Sequence, residues 1–213
     1  MSRLFRDVQG GPLCPQGSVV CIGAFDGLHL GHRALVRHAA GRASSRGLPL
    51  VALSFEPLPR EFFAPAAPPP RLLLARAKFE GLRALGADVV GLLRFDVRMA
   101  EMSAEAFVRK VLAGRLQARE VWVGPEFRFG HKRAGDIATL HALGDSLGFT
   151  AHEIEPELLV GERVSSTRVR AALQGGDFAL AARLLGRPYA IGGRVVRGNQ
   201  LGRTLGFPTT NLR

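Results

Sequence analysis

Apolar residues along this chain fall into short, nearly continuous runs separated by stretches with helical spacing. Ser18 to Ala24 (SVVCIGA) is a β-branched run closed by a small residue, and the following segment, His32 to Ala40, places Leu35, Val36 and Ala39 on one helical stripe. The alternation continues. Leu48 to Phe55 predicts a second strand, Leu73 to Leu85 a helix stopped at Gly86, and Asp88 to Leu93 a third strand. Ser103 has the chemistry of an N-cap, with Glu105 near the positive end of a helix running through Leu112, ahead of a fourth strand at Glu120 to Val123. A helix over Asp136 to Leu147 and a strand over Phe149 to Ile154 complete the series.

Strands that are apolar throughout, rather than on alternate residues, are buried on both faces, and their alternation with helices predicts a doubly wound parallel α/β sheet. Ligands of such sheets bind beyond the carboxyl ends of the strands, so the strand-to-helix loops are where chemistry is expected. Two of these loops stand out. Glu56 to Pro70 carries six prolines and the pair Phe62 and Phe63, while Gly124 to Gly135 carries Phe127, Phe129, His131, Lys132 and Arg133. Beyond Leu185 the texture turns glycine-rich around a β-like run, Tyr189 to Val196. The expected division is one domain over 1–185 and the opening of a second module over 186–213, since 28 residues fall short of the roughly 50 a domain needs.

Charge and cysteine content narrow the class. The formal net charge is +11, and all basic residues except Lys78, Lys110 and Lys132 are arginine, scattered instead of clustered. Duplex binding needs basic charge gathered on one face, so arginines aimed at small phosphorylated substrates are the better expectation, with no nucleic-acid partner. Cys14 and Cys21 match neither a disulfide framework nor a zinc pattern. No apolar run approaches the roughly 18 residues of a membrane span, and the first residues lack a signal-peptide core, which leads to an expected cytoplasmic location.

The sharpest chemical signal is GAFDGLHLGH, Gly23 to His32, placed where the first strand turns into the first helix. Unpaired backbone N–H groups at a helix N-terminus favour anions, and Gly23, Gly27 and Gly31 let backbone approach a phosphate. His29 and His32, three apart, can project together and donate to one phosphate. A metal site would need a third ligand at suitable spacing, and none follows. The segment resembles the H-x-G-H signature of the nucleotidylyltransferase superfamily, and in this extended form the N-terminal domain of the prokaryotic bifunctional riboflavin kinase/FAD synthetase family.

Further segments resemble the same family. SFEPLPREFF (Ser54 to Phe63) and VGPEFRFG (Val123 to Gly130) are similar to its two aromatic loops, with Glu126 where the family commonly has Asn or Asp. ERVSSTRVR (Glu162 to Arg170) is similar to its R-x-S-S-T-x-[IV]-R segment, where Ser166 or Thr167 can cap a second helix; Arg168 and Arg170, two apart, cannot share a helical face. GRTLGFPTTN, Gly202 to Asn211, resembles the opening of the flavokinase module. The resemblance implies a Rossmann-like nucleotidylyltransferase fold that transfers AMP from ATP to FMN, giving FAD and pyrophosphate with Mg²⁺. It implies His29, His32 and Arg163 as the catalytic set, and Gly23, Phe25, Asp26, Gly31, Ser166 and Thr167 around ATP. Phe55, Pro57, Phe62, Glu126, Phe127 and Phe129 would meet flavin, and Thr209 and Asn211 would belong to the kinase module, whose activity is expected to be absent from this chain. A cytidylyltransferase acting on a small phosphorylated alcohol, or a non-catalytic flavin- or RNA-binding module, remains an alternative.

Overall fold

The computed structural model describes residues 3–198, 201–207 and 211–212. Its main sheet has strands β1 (Arg3–Phe5), β2 (Ser18–Ile22), β3 (Leu50–Glu56), β4 (Val89–Arg94), β5 (Ala118–Val123) and β6 (Thr150–Glu153). All neighbours pair in parallel, in the order β1-β4-β3-β2-β5-β6. The connecting helices are α1 (Leu30–Arg46), α2 (Pro59–Phe63), α3 (Ala75–Ala84), α4 (Val97–Ala100), α5 (Ala104–Phe107), which runs on as a π-helix over Val108–Arg115, and α6 (Ile137–Leu147). A two-stranded hairpin, β7 (Leu158–Leu159) with β8 (Glu162–Arg163), leads to α7 (Ser166–Gln174) and α8 (Phe178–Leu185). Beyond them lie β9 (Val195–Val196), α9 (Leu201–Thr204) and β10 (Asn211–Leu212).

The doubly wound expectation holds, and side-chain alternation explains it. On β2, Val19 and Cys21 pack with Leu35, Val36 and Ala39 of α1 and Leu82 of α3, whereas Val20 and Ile22 pack with Phe107, Val108, Val111 and Leu112 and with Leu140 of α6. Helices cover both faces, so every residue of β2 is buried. A third apolar cluster joins α7 and α8 to Leu72 and Leu30. Cys14 and Cys21 lie in opposite layers and cannot meet; burial pushes the Cys21 thiol up to about 12, so it stays protonated and inert.

Differences from the expected elements have local causes. Helix α1 begins at Leu30, ahead of His32, because His29 is its N-cap, and it runs past Ala40 to Arg46, where Gly47 at φ 62° ends it. Ser103 caps as expected, accepting from the Ala106 amide at 3.1 Å, but the helical stretch continues beyond Leu112 to Arg115. Strand β1 has no counterpart among the expected elements: three residues with one buried side chain carry no period, and pairing with β4 makes them a strand. The run Tyr189 to Val196 is strand only at Val195–Val196, where β10 supplies a partner. No helix among the described residues is long and apolar enough to cross a membrane.

One buried charge supports the sheet away from the loops at its carboxyl edge. Glu120 on β5 accepts from Arg42 at 2.6 Å and from the Trp122 indole at 3.0 Å, and Arg46 approaches at 2.6 Å. The Arg42 hydrogen bond, with smaller help from Trp122 and Arg46, holds its carboxyl down to about 2. A depressed carboxylate stabilises the fold above its unfolded pKa of about 4.5, and that contribution is lost as pH falls from there toward 2. Glu120→Gln is therefore expected to lower stability at pH 7 by about 1–3 kcal/mol and to flatten the stability profile between pH 4.5 and 2. Denaturant melts at pH 7 and pH 3 measure both.

Candidate active site

Strand order reverses beside β2: β3 lies on one side and β5 on the other, which opens a crevice beyond their carboxyl ends. The loop from β2 to α1 enters that crevice in a contorted path, with Phe25 at φ 49°, Gly27 at φ 85° and Leu28 at φ 48°. Two side chains hold it. Phe25 is fully buried, its ring beneath Gly23 and edge-on to His32 at 5.3 Å. Asp26 is buried too: one carboxylate oxygen accepts from the Leu72 and Leu73 amides at 3.1 and 3.0 Å, and the other pairs with Arg170. Gly27 is required both for its φ and because a Cβ there would lie 3.0 Å from Leu72.

The same residue reaches α7. Ser166 donates from its hydroxyl to the Asp26 carbonyl at 2.8 Å, and Arg170 donates to the Pro70 carbonyl at 2.7 Å. The N-terminus of α7 is thereby fastened to the loop that leads into α1, and two sets of free helical amides share one neighbourhood. The cap of α7 is Ser165, accepting from the Arg168 amide at 3.2 Å, and not Ser166 or Thr167. An N-cap needs extended backbone, which Ser165 has at φ −147° and ψ 158°. This frees Ser166 for Asp26 and leaves Thr167 exposed at the helix end.

His29 and His32 do come together. Their rings stack with centroids 3.7 Å apart and planes 18° apart. The His32 amide donates to His29 Nδ1 at 3.3 Å, so the proton of neutral His29 resides on Nε2. Gly31 lies against this pair, since a Cβ would come within 3.3 Å of the His29 ring. Burial, with the nearby Arg163 charge adding to it, lowers the His29 pKa to about 4. Burial, His29 and the Lys78 ammonium hold His32 well below 6.5. Both imidazoles are thus neutral at pH 7, and His32 Nδ1 is buried with no hydrogen-bond partner. Arg163 on β8 spans the crevice to the loop after β5, donating to Glu126 at 2.8 Å and to the Pro125 carbonyl at 3.1 Å.

The structure redistributes the expected ATP set. Phe25 and Asp26 have their side chains consumed in fixing the loop, and Arg170 joins Asp26 as structural support, while Arg168 pairs with Glu162. Of the others, Gly31 lies against the His29 ring and Gly23 over the Phe25 ring, Ser166 is bonded to the Asp26 carbonyl, and Thr167 is exposed in the first turn of α7.

The aromatic residues form one connected chain of rings. Phe62 and Phe63 touch each other at 5.3 Å and Phe95 at 5.4 and 5.8 Å; Phe95 meets Phe55 at 5.7 Å. Phe55 meets Phe107 at 6.3 Å, Phe107 meets Phe129 at 5.8 Å, and Phe129 stacks on Phe127 at 5.4 Å. Phe95 and Phe107, which no sequence motif marks, are the links between the two loops; the one signal for Phe95 is its position just past the carboxyl end of β4. Pro57 is exposed and follows a cis peptide bond, and Glu126 is exposed at φ 60°. Beneath the Pro-rich loop, Lys78 is fully buried, 3.4 Å from the Phe55 carbonyl and 3.7 Å from Glu56, which pairs with Arg71; Arg71 in turn holds Glu61 at 2.5 Å. Asn211 lies in β10 far along the chain, opposite Val196, and Thr209 lies outside the described residues.

A parallel sheet whose switch-point loop presents stacked, neutral imidazoles at one helix N-terminus, with a second helix N-terminus fastened to the same loop, defines a nucleotidyltransferase of the Rossmann-like α/β class. Comparison with known proteins narrows this. The FAD synthetase family matches residues 12–168 and the riboflavin kinase family residues 185–213. The bifunctional riboflavin kinase/FMN adenylyltransferase of Haemophilus influenzae is 41% identical over 211 residues, covering 99% of this chain and 68% of the relative. Its Escherichia coli K12 counterpart is 43% identical, covering 99% and 67%. A solved structure described as a macrolide-efflux protein from Streptococcus pneumoniae superposes with a TM-score of 0.80 at 27% identity, covering all of this chain and 68% of that one. The chain belongs to the FAD synthetase family, and spans about two thirds of the length of these relatives.

Asp26→Ala is expected to cost about 3–5 kcal/mol, because it strands the Arg170 guanidinium and two backbone amides in a dry site. Urea denaturation compared with the parent chain measures this. Thr167→Ala, at an exposed helix position, is expected to leave stability within about 0.5 kcal/mol.

Proposed function

We propose that this chain makes FAD by transferring the adenylyl group of ATP to FMN, with release of pyrophosphate. An oxygen of the FMN phosphate attacks the α-phosphorus in line as the bond to the β-phosphate oxygen breaks. The attacking group is already an anion, so no side chain needs to remove a proton, and placement with charge stabilisation does the catalytic work. The observation that carries this reading is the stacked imidazole pair. A neutral His29 with its proton on Nε2 offers a donor to phosphate oxygens without the strong ion pairing that would retain the product, and the backbone at Gly31 can lie close beside it. Ser166, Thr167 and Arg163 are assigned to the β- and γ-phosphates at the other helix N-terminus.

Mg²⁺ enters in this reading with ATP, as the counter-ion of its phosphates. No three His, Cys, Asp or Glu side chains gather around a common point among the described residues, which suits an ion held mainly by substrate phosphate oxygens and water with at most one or two carboxylates. The ring chain from Phe62 to Phe127 supports a planar, apolar second substrate, and isoalloxazine has that shape. A small phosphorylated alcohol would leave these rings without a purpose. ATP as a substrate also fits a cytoplasmic setting. Residues 1–185 are taken as the adenylyltransferase unit and 186–213 as the opening part of a flavokinase module.

The deciding assay mixes the purified chain with ATP, MgCl₂ and FMN and follows FAD by chromatography; absence of FAD overturns the assignment. His29→Ala and His32→Ala are each expected to slow turnover by about a hundredfold or more, near 3 kcal/mol of transition-state stabilisation, with circular dichroism unchanged. Both histidines have depressed pKa values, so they remain neutral as pH falls through 6.5, and an acid step in kcat/KM near there belongs to the substrate phosphates, whose second ionisation lies at about 6; a further loss from protonation of His29 is expected only on approach to about 4. Phe95→Ala is expected to raise the KM for FMN roughly tenfold while leaving that for ATP nearly unchanged, because a lost aromatic contact is worth about 1–1.5 kcal/mol.

A further inference from the structure

Glu126 occupies a position that does not suit it. At φ 60° its backbone is in the left-handed region, where Asn and Asp are tolerated best because a short polar side chain can bond locally, and a longer side chain is strained. Its side chain is 84% exposed, yet the carboxylate crosses to Arg163 and makes a 2.8 Å ion pair. The second Nη of Arg163 donates to the Pro125 carbonyl at 3.1 Å. Both arms of the guanidinium fork are therefore directed at the loop after β5, although the guanidinium is close enough to His29 to help depress its pKa.

An arginine grips phosphate through that same fork. With Nη1 given to Glu126 and Nη2 to Pro125, the end-on fork is occupied, and a triphosphate that takes both arms must displace these contacts. We propose that Glu126 sets the affinity for ATP by competing with the triphosphate for Arg163, so that nucleotide binding exchanges a protein carboxylate for phosphate oxygens. The proposal rests on the assignment of Arg163 to the triphosphate. Its consequence runs against the usual sense of mutagenesis: removing the Glu126 charge tightens ATP binding. An exposed ion pair of this kind is weak, so the gain is on the order of two- to fivefold. The exchange also works in reverse, with Glu126 reclaiming Arg163 as pyrophosphate leaves.

The test is calorimetric titration of the full chain with ATP and MgCl₂ in the absence of FMN, so that no turnover occurs. Glu126→Gln removes the charge while keeping side-chain length and the strained backbone; Glu126→Asn removes the charge and suits the backbone. Both are expected to lower the Kd for ATP two- to fivefold, and only Glu126→Asn to raise the melting temperature. Arg163→Ala is expected to weaken binding, and in that background Glu126→Gln should give no further gain. An unchanged or higher Kd in Glu126→Gln overturns the competition. So does a gain that persists undiminished without Arg163, because simple repulsion would then explain it. If Arg163→Ala alone leaves ATP affinity unaltered, the assignment of Arg163 itself fails, and the competition with it; weakening by Arg163→Ala without a gain from Glu126→Gln sinks the competition only.

Discussion

The site depends on one buried carboxylate. Asp26 takes hydrogen bonds from the Leu72 and Leu73 amides, pairs with Arg170, and offers its carbonyl to Ser166. Asp26 and its partners belong to three segments far apart in sequence: the loop into α1, the end of the Pro-rich loop, and α7. An ionised group in a dry environment is tolerated only when its acceptor sites are filled, so each segment is held in place by the same requirement. Together with the apolar cluster that joins Leu30 and Leu72 to α7 and α8, this clasp brings the two helix N-termini into one neighbourhood.

From this frame follows the electrostatic character of the crevice. The imidazoles are packed against each other and against Phe25, and the cost of burying charge keeps them neutral. Positive potential comes instead from the helix amides, from Arg163, and from Lys78 behind the β3 terminus. Neutral donors surrounded by fixed positive charge suit a reaction in which negative charge redistributes among phosphate oxygens and no proton must move. Seven phenylalanine rings form a connected set running from the Pro-rich loop to the loop after β5, in which Phe107 and Phe129 are buried in the core and Phe63 is exposed.

Much of this arrangement can be read from the order of residues. Continuous apolar strands and the helical stripe at Leu35, Val36 and Ala39 carry the doubly wound fold, because burial on both faces leaves a pattern that neighbours cannot disguise. The glycine-rich turn with His29 and His32 carries the phosphate chemistry for a similar reason, since spacing alone puts both rings on one helical turn. Less accessible are Phe95 and Phe107. Neither lies in a distinctive motif, and only the parallel pairing of β3 with β4 sets Phe95 beside Phe55 and Phe62. The cap of α7 falls one residue earlier than expected, because three adjacent hydroxyl residues are equivalent in composition and backbone geometry picks Ser165.

By itself, then, the sequence determined the layering of the sheet, the family and the loops that face its carboxyl edge, all properties of local periodicity and short-range spacing. Tertiary structure alone decided which polar groups are free to act. Asp26 looks like an ATP ligand in the sequence and is spent on Arg170, 144 residues away, while Glu126 is drawn to Arg163 across 37. Both pairings depend on which loops the sheet order brings together, and for the buried Asp26 the cost of an unmatched charge fixes its partner only once the chain has folded.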